Sequence, residues 1–403
     1  MSWPTYRLDE VAEVAAGNPA PQQPSDFAEN GAVFVRMQDV GREHHTDRLA
    51  TSTDKVSLDA VSRYRLRLFP SGSLLIPKSG ASVNLNHRAM LGCDAYVVSH
   101  LAVIIPDRNR LLPEYLYYWS LSYDPRSQAQ TTSLPSLPLS LIKVAVLPVP
   151  PLSEQRRIVD ILSRAEGIVR FRQEAEKKAA ELIPGIFLEM FGDPATNPKQ
   201  WPVRKVSELV RRFEGGKNIQ AGSEEKSAYR ILKVSAVTSG IYKESESKPS
   251  PEAYNPPPTH IVRAGDMLFS RANTEELVGA TALVEHTNGK TLLPDKIWRF
   301  VWNEPVEPTY IHALFQSQHV RKELGKLSSG TSASMRNISQ AKLFNLSLSV
   351  APYSEQKIFS ERVVSIRSIQ SQQAAAKAKA QAAFDALLAR VFMREPQSVR
   401  TEQ

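Results

Sequence analysis

The chain is written twice, and that constrains its fold more than any other feature. Trp3-Pro4, followed by Asp9-Glu10-Val11, recurs as Trp201-Pro202 followed by Ser207-Glu208-Leu209, an offset of 198 residues. Pro70-Ser71-Gly72-Ser73-Leu74-Leu75-Ile76 aligns with Arg263-Ala264-Gly265-Asp266-Met267-Leu268-Phe269 at 193, and Val149-Pro150-Pro151-Leu152-Ser153-Glu154-Gln155 with Val350-Ala351-Pro352-Tyr353-Ser354-Glu355-Gln356 at 201. The offset drifts inside each copy and then settles. Loops within the two copies therefore differ in length, whereas the segments that follow them do not.

After each Ser-Glu-Gln the pattern turns helical for about forty residues. Ser153 and Ser354 suit N-caps, with proline within the two preceding residues and Glu in the first turn, where the helix dipole favours a negative charge. Ile158, Ile161, Ala165, Ile168, Ala175, Ala179, Leu182 and Ile186 recur at three- and four-residue steps, interrupted by Arg172 and Glu189. Phe359, Val363, Ile366, Ile369, Ala376, Ala380, Phe384, Leu387 and Val391 do so in the second copy. This is a heptad seam, so each helix wants another helix beside it. A helix of this size is roughly 58 Å long at 1.5 Å per residue, which suits a spacer or coiled coil; the plainer alternative is a pair of ordinary bundle helices. Pro184-Gly185 should kink or end the first helix, and the sequence leaves that choice open.

Each copy thus reads as a head followed by a long helix: heads over 1–151 and 193–351, helices over 152–192 and 352–393, and a disordered tail over 394–403. The heads mix short strand-like runs (Ala32–Met37, Leu74–Ile76, Tyr96–Ile105, Arg230–Val234, Thr281–Val284, Trp298–Trp302) with short helical stretches at Pro113–Ser120 and Thr309–Gln318. The expected class is α+β, two mixed globular heads separated by two long antiparallel coiled-coil helices. No run approaches the ~20 unbroken apolar residues of a membrane helix, and the N-terminus lacks a signal pattern, so a cytoplasmic protein is expected. The single cysteine, Cys93, excludes a disulfide framework or Cys-rich zinc site. The net charge of +8 permits a polyanionic partner without establishing one, and the excess is concentrated in the second head and last segment: 21 cations face 16 acids over 193–351, 8 face 5 over 352–403.

These residues resemble the specificity subunits of type I restriction-modification systems over nearly the whole length. The resemblance is carried by Trp-Pro opening each half, by Pro-Pro-Leu-Ser-Glu-Gln and Pro-Tyr-Ser-Glu-Gln opening each helix, and by Ile186-Phe187-Leu188-Glu189-Met190-Phe191-Gly192-Asp193-Pro194 closing the first. In the second head, Gly265 through Thr274, Leu293-Pro294-Asp295-Lys296 and Gly330-Thr331-Ser332 are similar to target-recognition domains of that family. The first head departs from the pattern, with Ile76-Pro77-Lys78-Ser79-Gly80 and Thr131-Thr132-Ser133 in the corresponding places. The resemblance implies a non-catalytic subunit of antiphage defence, in which each head reads one half of an asymmetric bipartite double-stranded DNA target. It also implies two methyltransferase subunits and restriction-translocase subunits as partners. No cofactor is expected on this chain; S-adenosylmethionine, ATP and magnesium would sit on the partners.

Arg271 and Asn273 are the foremost candidates for reading bases, since Arg can bind guanine bidentately and Asn adenine; Arg271 could instead touch phosphate or support its loop. Lys78 is the counterpart of Arg271, and Ser79-Gly80 would let backbone approach DNA or simply make a turn. Lys217 after Gly215-Gly216, Thr274, Thr331 and Ser332 complete the expected DNA-binding set. Glu154, Gln155, Arg157, Glu355, Gln356 and Lys357 are the expected partner-docking set. The helix charges, Arg156, Arg164, Arg170, Arg172, Lys177 and Lys178 among them, read as a solvated face or a docking surface. Asn255-Pro256-Pro257-Pro258 comes close to the Asn-Pro-Pro-aromatic motif of amino-methyltransferases, but Pro258 replaces the stacking aromatic, so a surface turn is expected. No Gly-x4-Gly-Lys-Ser/Thr is present to hold a nucleotide, and the histidines, His44-His45 included, form no metal signature. The rival readings are a coiled-coil interaction scaffold and a stand-alone methyltransferase.

Overall fold

The computed structural model describes residues 3–42, 48–125, 135–224, 227–332 and 335–393; Thr131, Thr132, Ser133, His44, His45 and the tail from 394 lie outside them, as do the side chains of Thr331 and Ser332. The chain folds into two compact units that cut across the sequence order: residues 1–175 with 374–403, and 176–373. Each unit holds one head and one half of each of two 40-residue helices, Leu152–Phe191 and Tyr353–Phe392.

In the first unit the central sheet is built from β1 (Ala12–Ala16), β2 (Arg48–Leu49), β3 (Leu74–Pro77), β4 (Ala89–Leu91) and β5 (Leu101–Pro106), in the order β1-β5-β3-β4-β2. β3 reads Leu-Leu-Ile-Pro rather than alternating polar and apolar because both its faces are covered. Leu74 and Ile76 join one core with α1 (Pro113–Ser122), whereas Leu75 joins another with Phe34, Phe69 and Val97. A second sheet sets Phe27–Val35 between Lys55–Val56 and Tyr96–Val97. Into the first core the long helices insert Ile158, Leu162 and Val169 from one and Phe384 and Leu388 from the other.

The second unit repeats this plan with β6 (Val210–Gly215), β7 (Met267–Ser270), β9 (Thr281–Leu283) and β10 (Ile297–Trp302), in the order β6-β10-β7-β9. β8 (Ala272–Asn273) leaves that sheet for a small one with β11 (Ser329–Ser332) and β12 (Met335–Asn337). Met267 and Phe269 face the helix-side core and Leu268 the opposite one, as in β3. The helix-side core is aromatic: Phe187 and Phe191 of the first long helix meet Phe359 of the second and Tyr310 of α2 (Pro308–Gln316), with ring centroids 4.7–5.9 Å apart for five of these pairs. The Trp201 indole donates to the Phe191 carbonyl at 3.0 Å, anchoring the Trp-Pro motif to the helix end. Pro202 and Pro4 each accept a backbone hydrogen bond, from Val350 and Val149 at 2.9 Å, so both Trp-Pro motifs tie the start of a head to the strand before its helix.

Two helix expectations are settled or corrected. The first helix runs through Pro184 rather than ending there. Pro184 is exposed, so the Ala180 carbonyl that loses its donor faces solvent rather than a core. The expected seam is covered at Ile158, Ala179, Phe359, Val363, Ile366 and Phe384 but lies one residue out of place at Ile161 and Ile168. Ile161, Ile168 and Ile369 are exposed by 39%, 54% and 44%, whereas Leu162 and Val169 are buried. The seam bends to follow the core below it, and Ile158-Leu162-Ala165-Val169 keeps that face.

His312 on α2 carries a pH dependence. Its Nδ1 hydrogen-bonds Thr281 Oγ1 on β9 at 2.9 Å, and burial, with the nearby Arg367 cation, pushes the imidazole down to about 4. The unfolded chain, titrating near 6.5, takes up the proton first. The contribution is complete above pH 6.5 and lost as pH falls toward 4, by at most about 3 kcal/mol at 1.36 kcal/mol per pKa unit. In urea titrations, wild type should lose more stability from pH 7 to pH 4 than His312→Gln. Equal losses would assign the acid sensitivity elsewhere.

Candidate nucleic-acid interface

The central sheets end in the same backbone frame, although the side chains differ. In the first head, β3 passes Pro77, paired with Leu101, and the Lys78 N–H donates to the His100 carbonyl at 3.0 Å. In the second, β7 passes Ser270, paired with Ile297, and the Arg271 N–H donates to the Lys296 carbonyl at 3.0 Å. The carbonyls of Lys78 and Arg271 then accept from Leu137 (2.8 Å) and Ile338 (2.9 Å), which stand 201 residues apart. Lys78 and Arg271 are therefore structural counterparts, and so are His100 and Lys296.

In the second head three segments leave the sheet at this edge: Gly215-Gly216-Lys217 after β6, Arg271 after β7, and Leu293–Lys296 before β10. Lys217 and Lys296 are exposed and Arg271 is half-buried. Gly216 is required because a Cβ there would lie 1.7 Å from the Leu293 carbonyl oxygen, so that glycine serves packing. Arg271 is braced. Its Nε donates to the Asp295 carbonyl at 2.8 Å, its NH2 lies 3.9 Å from the Asp295 carboxylate, and its guanidinium sits 5.6 Å from the centre of the Trp298 ring. These contacts make Arg271 a support of its own loop, and a stacked, braced guanidinium is held ready for an acceptor. Asn273 Oδ1 accepts the Thr274 N–H at 2.8 Å, and the Thr274 carbonyl accepts from Leu277 and Val278. These two shape the turn after β8.

In the first head, Ser79 Oγ lies 2.7 Å from His100 Nδ1. Gly80 holds φ of +79°, a left-handed conformation that favours glycine, and its N–H donates to the Pro135 carbonyl at 2.9 Å. Beside this edge opens a pocket of about 470 Å³ lined by Arg36, Gln38, Ser82, His87 and His100 with four further residues. Arg36 is held by Asp54 and lies over Phe27 and Phe34, at 5.2 and 5.7 Å from their ring centres. Sequence reasoning passed over these residues. Aligning the residue before β5 with the one before β10 would have found His100; nothing local marks Arg36, Gln38 or His87.

The expected docking residues fall into two groups. Glu154 and Arg157 pair with each other at 2.7 Å on the surface, the guanidinium holding the Glu154 carboxyl below its usual range; Glu355 is half-buried and Lys357 exposed. Gln155 and Gln356 are 0% and 3% exposed, and their amides are hydrogen-bonded within the chain, out of a partner's reach. Each helix has exposed apolar side chains of its own: Ile161, Ile168 and Phe171 on the first, Ile358, Val364 and Ile369 on the second. Asn255-Pro256-Pro257-Pro258 is a turn whose continuation presents the Thr259 and Ile261 carbonyls to Arg299, at 2.8 and 3.0 Å.

One head-and-helix plan executed twice, with the same sheet edge carrying Lys78 in one copy and Arg271 in the other, defines a duplicated recognition subunit. The chain is similar to the specificity subunits of type I restriction-modification systems, a likeness that supports a DNA-recognition role. The model of the type I restriction modification DNA specificity domain matches residues 2–181, the first head with most of its helix. The type I restriction enzyme MjaVIII specificity subunit of Methanocaldococcus jannaschii is 22% identical over 68% of this chain and 68% of its own length. The EcoEI specificity subunit of Escherichia coli is 29% identical over 40% of this chain and 27% of its own length. Two solved structures share the fold. A chain from a study of complex assembly and conformational transition of the type I system aligns over 97% of both chains with a TM-score of 0.60 and 19% identity. The type I S subunit from M. genitalium aligns over 98% of this chain and 97% of its own with a TM-score of 0.54 and 10% identity.

Proposed function

We propose that the chain selects an asymmetric, split target in double-stranded DNA, with one half-site read by each head and the unspecified spacer set by the paired long helices. The observation that supports this best is the shared backbone frame holding different side chains: Lys78, Ser79 and His100 at one edge, Arg271, Lys217 and Lys296 at the other. A constant frame fixes where an edge meets a duplex, and variable side chains on it select the bases. Two methyltransferase subunits dock on the helices, with the exposed Ile161, Ile168 and Phe171 and Ile358, Val364 and Ile369 as their apolar contacts, and restriction-translocase subunits join the full complex. S-adenosylmethionine, ATP and magnesium belong to those partners, and the assembly works in the cytoplasm; no helix among the described residues is long and apolar enough to cross a membrane.

Selection from random duplexes, with the methyltransferase subunits present, should return one bipartite sequence. Lys217→Ala with Lys296→Ala should weaken binding about tenfold and flatten the log–log salt dependence by about two phosphate contacts. Equal affinity for every duplex, or no salt dependence, overturns the reading.

A further inference from the structure

The two buried glutamines repeat each other in a way that points to a task. Gln155 Oε1 accepts the Leu112 N–H at 2.8 Å, and its Nε2 donates to the Pro150 and Arg110 carbonyls at 2.8 and 2.7 Å. Gln356 Oε1 accepts the Glu307 N–H at 3.0 Å, and its Nε2 donates to the Ala351 carbonyl at 2.8 Å. Leu112 and Glu307 are the N-caps of α1 and α2, each of which begins with proline. Each long helix thus grips, from its first turn, the N-terminus of the short helix in its own head.

A tyrosine reinforces each grip. Tyr115 Oη donates to the Pro148 carbonyl at 2.9 Å; Tyr310 Oη lies 3.4 Å from the Ser349 carbonyl and accepts the Ala351 N–H at 3.0 Å. Both tyrosines are buried, and burial pushes their hydroxyls up, Tyr310 to about 12, so both stay protonated donors. Divergent loops surround these groups, so their retention in both copies acts as an internal comparison: whatever the heads read, this joint is kept.

The joint leads to the reading edge. α1 lies against β3 and β4, the first of which leads directly into Lys78; α2 lies against β9, the neighbour of the β7 that leads directly into Arg271. The path from helix to edge crosses one short helix and one sheet, both rigid elements.

We infer that Gln155 and Gln356, with Tyr115 and Tyr310, are positioning residues that fix the angle of each reading edge to its long helix, and so sharpen discrimination between targets whose spacers differ in length. This rests on the split-target reading. A loosened joint lets a head swing, so off-length spacers are tolerated while the bases preferred in each half-site stay the same.

The test uses the full chain with methyltransferase subunits and duplexes carrying the selected half-sites at the best spacer and one base pair longer. Gln155→Met keeps the side chain's volume and removes its hydrogen bonds. It should cut the preference for the correct spacer by about fivefold or more while weakening the correct duplex by less, since a rigid connection sets the effective concentration of the second head. Tyr115→Phe, which removes one hydroxyl from intact packing, should cut it by about twofold in the same direction. Equal weakening on both duplexes by Gln155→Met marks a merely structural residue and overturns the inference. If Gln155→Met binds nothing, Tyr115→Phe decides, and an unchanged preference there overturns it. A wild-type complex that ignores spacer length sinks the split-target reading instead.

Discussion

Removing one heptad from both long helices should abolish recognition of the original target while leaving both half-sites readable. The blocks to remove are 173–179 and 370–376, matched about the hydrogen bond from Gln370 Nε2 to the Ala179 carbonyl at 2.7 Å. Seven residues are close to two turns, so the seam keeps facing its partner while each helix shortens by about 10 Å, roughly three base pairs of B-DNA. Affinity for the original target should fall by about 100-fold or more, because the second head no longer binds intramolecularly. Selection from a library with a randomised spacer should return both half-sites unchanged at a shorter spacing. Three base pairs also rotate the groove by about a third of a turn, so only part of the affinity returns. A deletion variant that prefers the original spacer sinks the idea that the helices measure the gap.

Arg299→Met should unfold the second head under conditions where the first stays folded. Arg299, 6% exposed on β10, donates to Glu214 at 2.5 Å, Asp266 at 2.9 Å and two backbone carbonyls. Burial already pushes the Asp266 carboxyl above its usual range despite that guanidinium. Without it, two part-buried carboxylates face each other with no shared cation, and breaking such a network costs about 3–5 kcal/mol. Hydrogen exchange should show β10 amides losing protection while those of β5 keep theirs. The cost should shrink as pH falls, since protonation neutralises Asp266, whereas Glu214 keeps Arg212 as a partner. Adding Glu214→Gln and Asp266→Asn should restore a good part of the stability. A loss under about 1 kcal/mol for Arg299→Met would mean that the network does not hold the sheet.

Much of the architecture was legible because duplication shows as offsets and long helices as periodicity. The start of each helix at its Ser-Glu-Gln, the strand runs around Leu74 and Met267, and the equivalence of Lys78 with Arg271 all follow from aligning one half with the other. Periodicity failed where it had two adjacent answers. Ile161 and Leu162 are both apolar, and only the shape of the core beneath the helix decides which is covered. Motif reading failed differently at Gln155 and Gln356, where a polar residue beside exposed charges looks like surface until its partners, about 45 residues away, come into place.

By itself the sequence determined that there are two heads, two helices, their order, and which β-strand end of each head carries a cation. Those features depend on local patterning and on covalent order. Tertiary structure alone decided that each compact unit is assembled from a head and halves of both helices, that Arg271 is braced by Asp295 and Trp298, and that His100 belongs beside Lys78. These depend on contacts between residues far apart in the chain, set by packing and hydrogen-bond satisfaction, which no local pattern encodes.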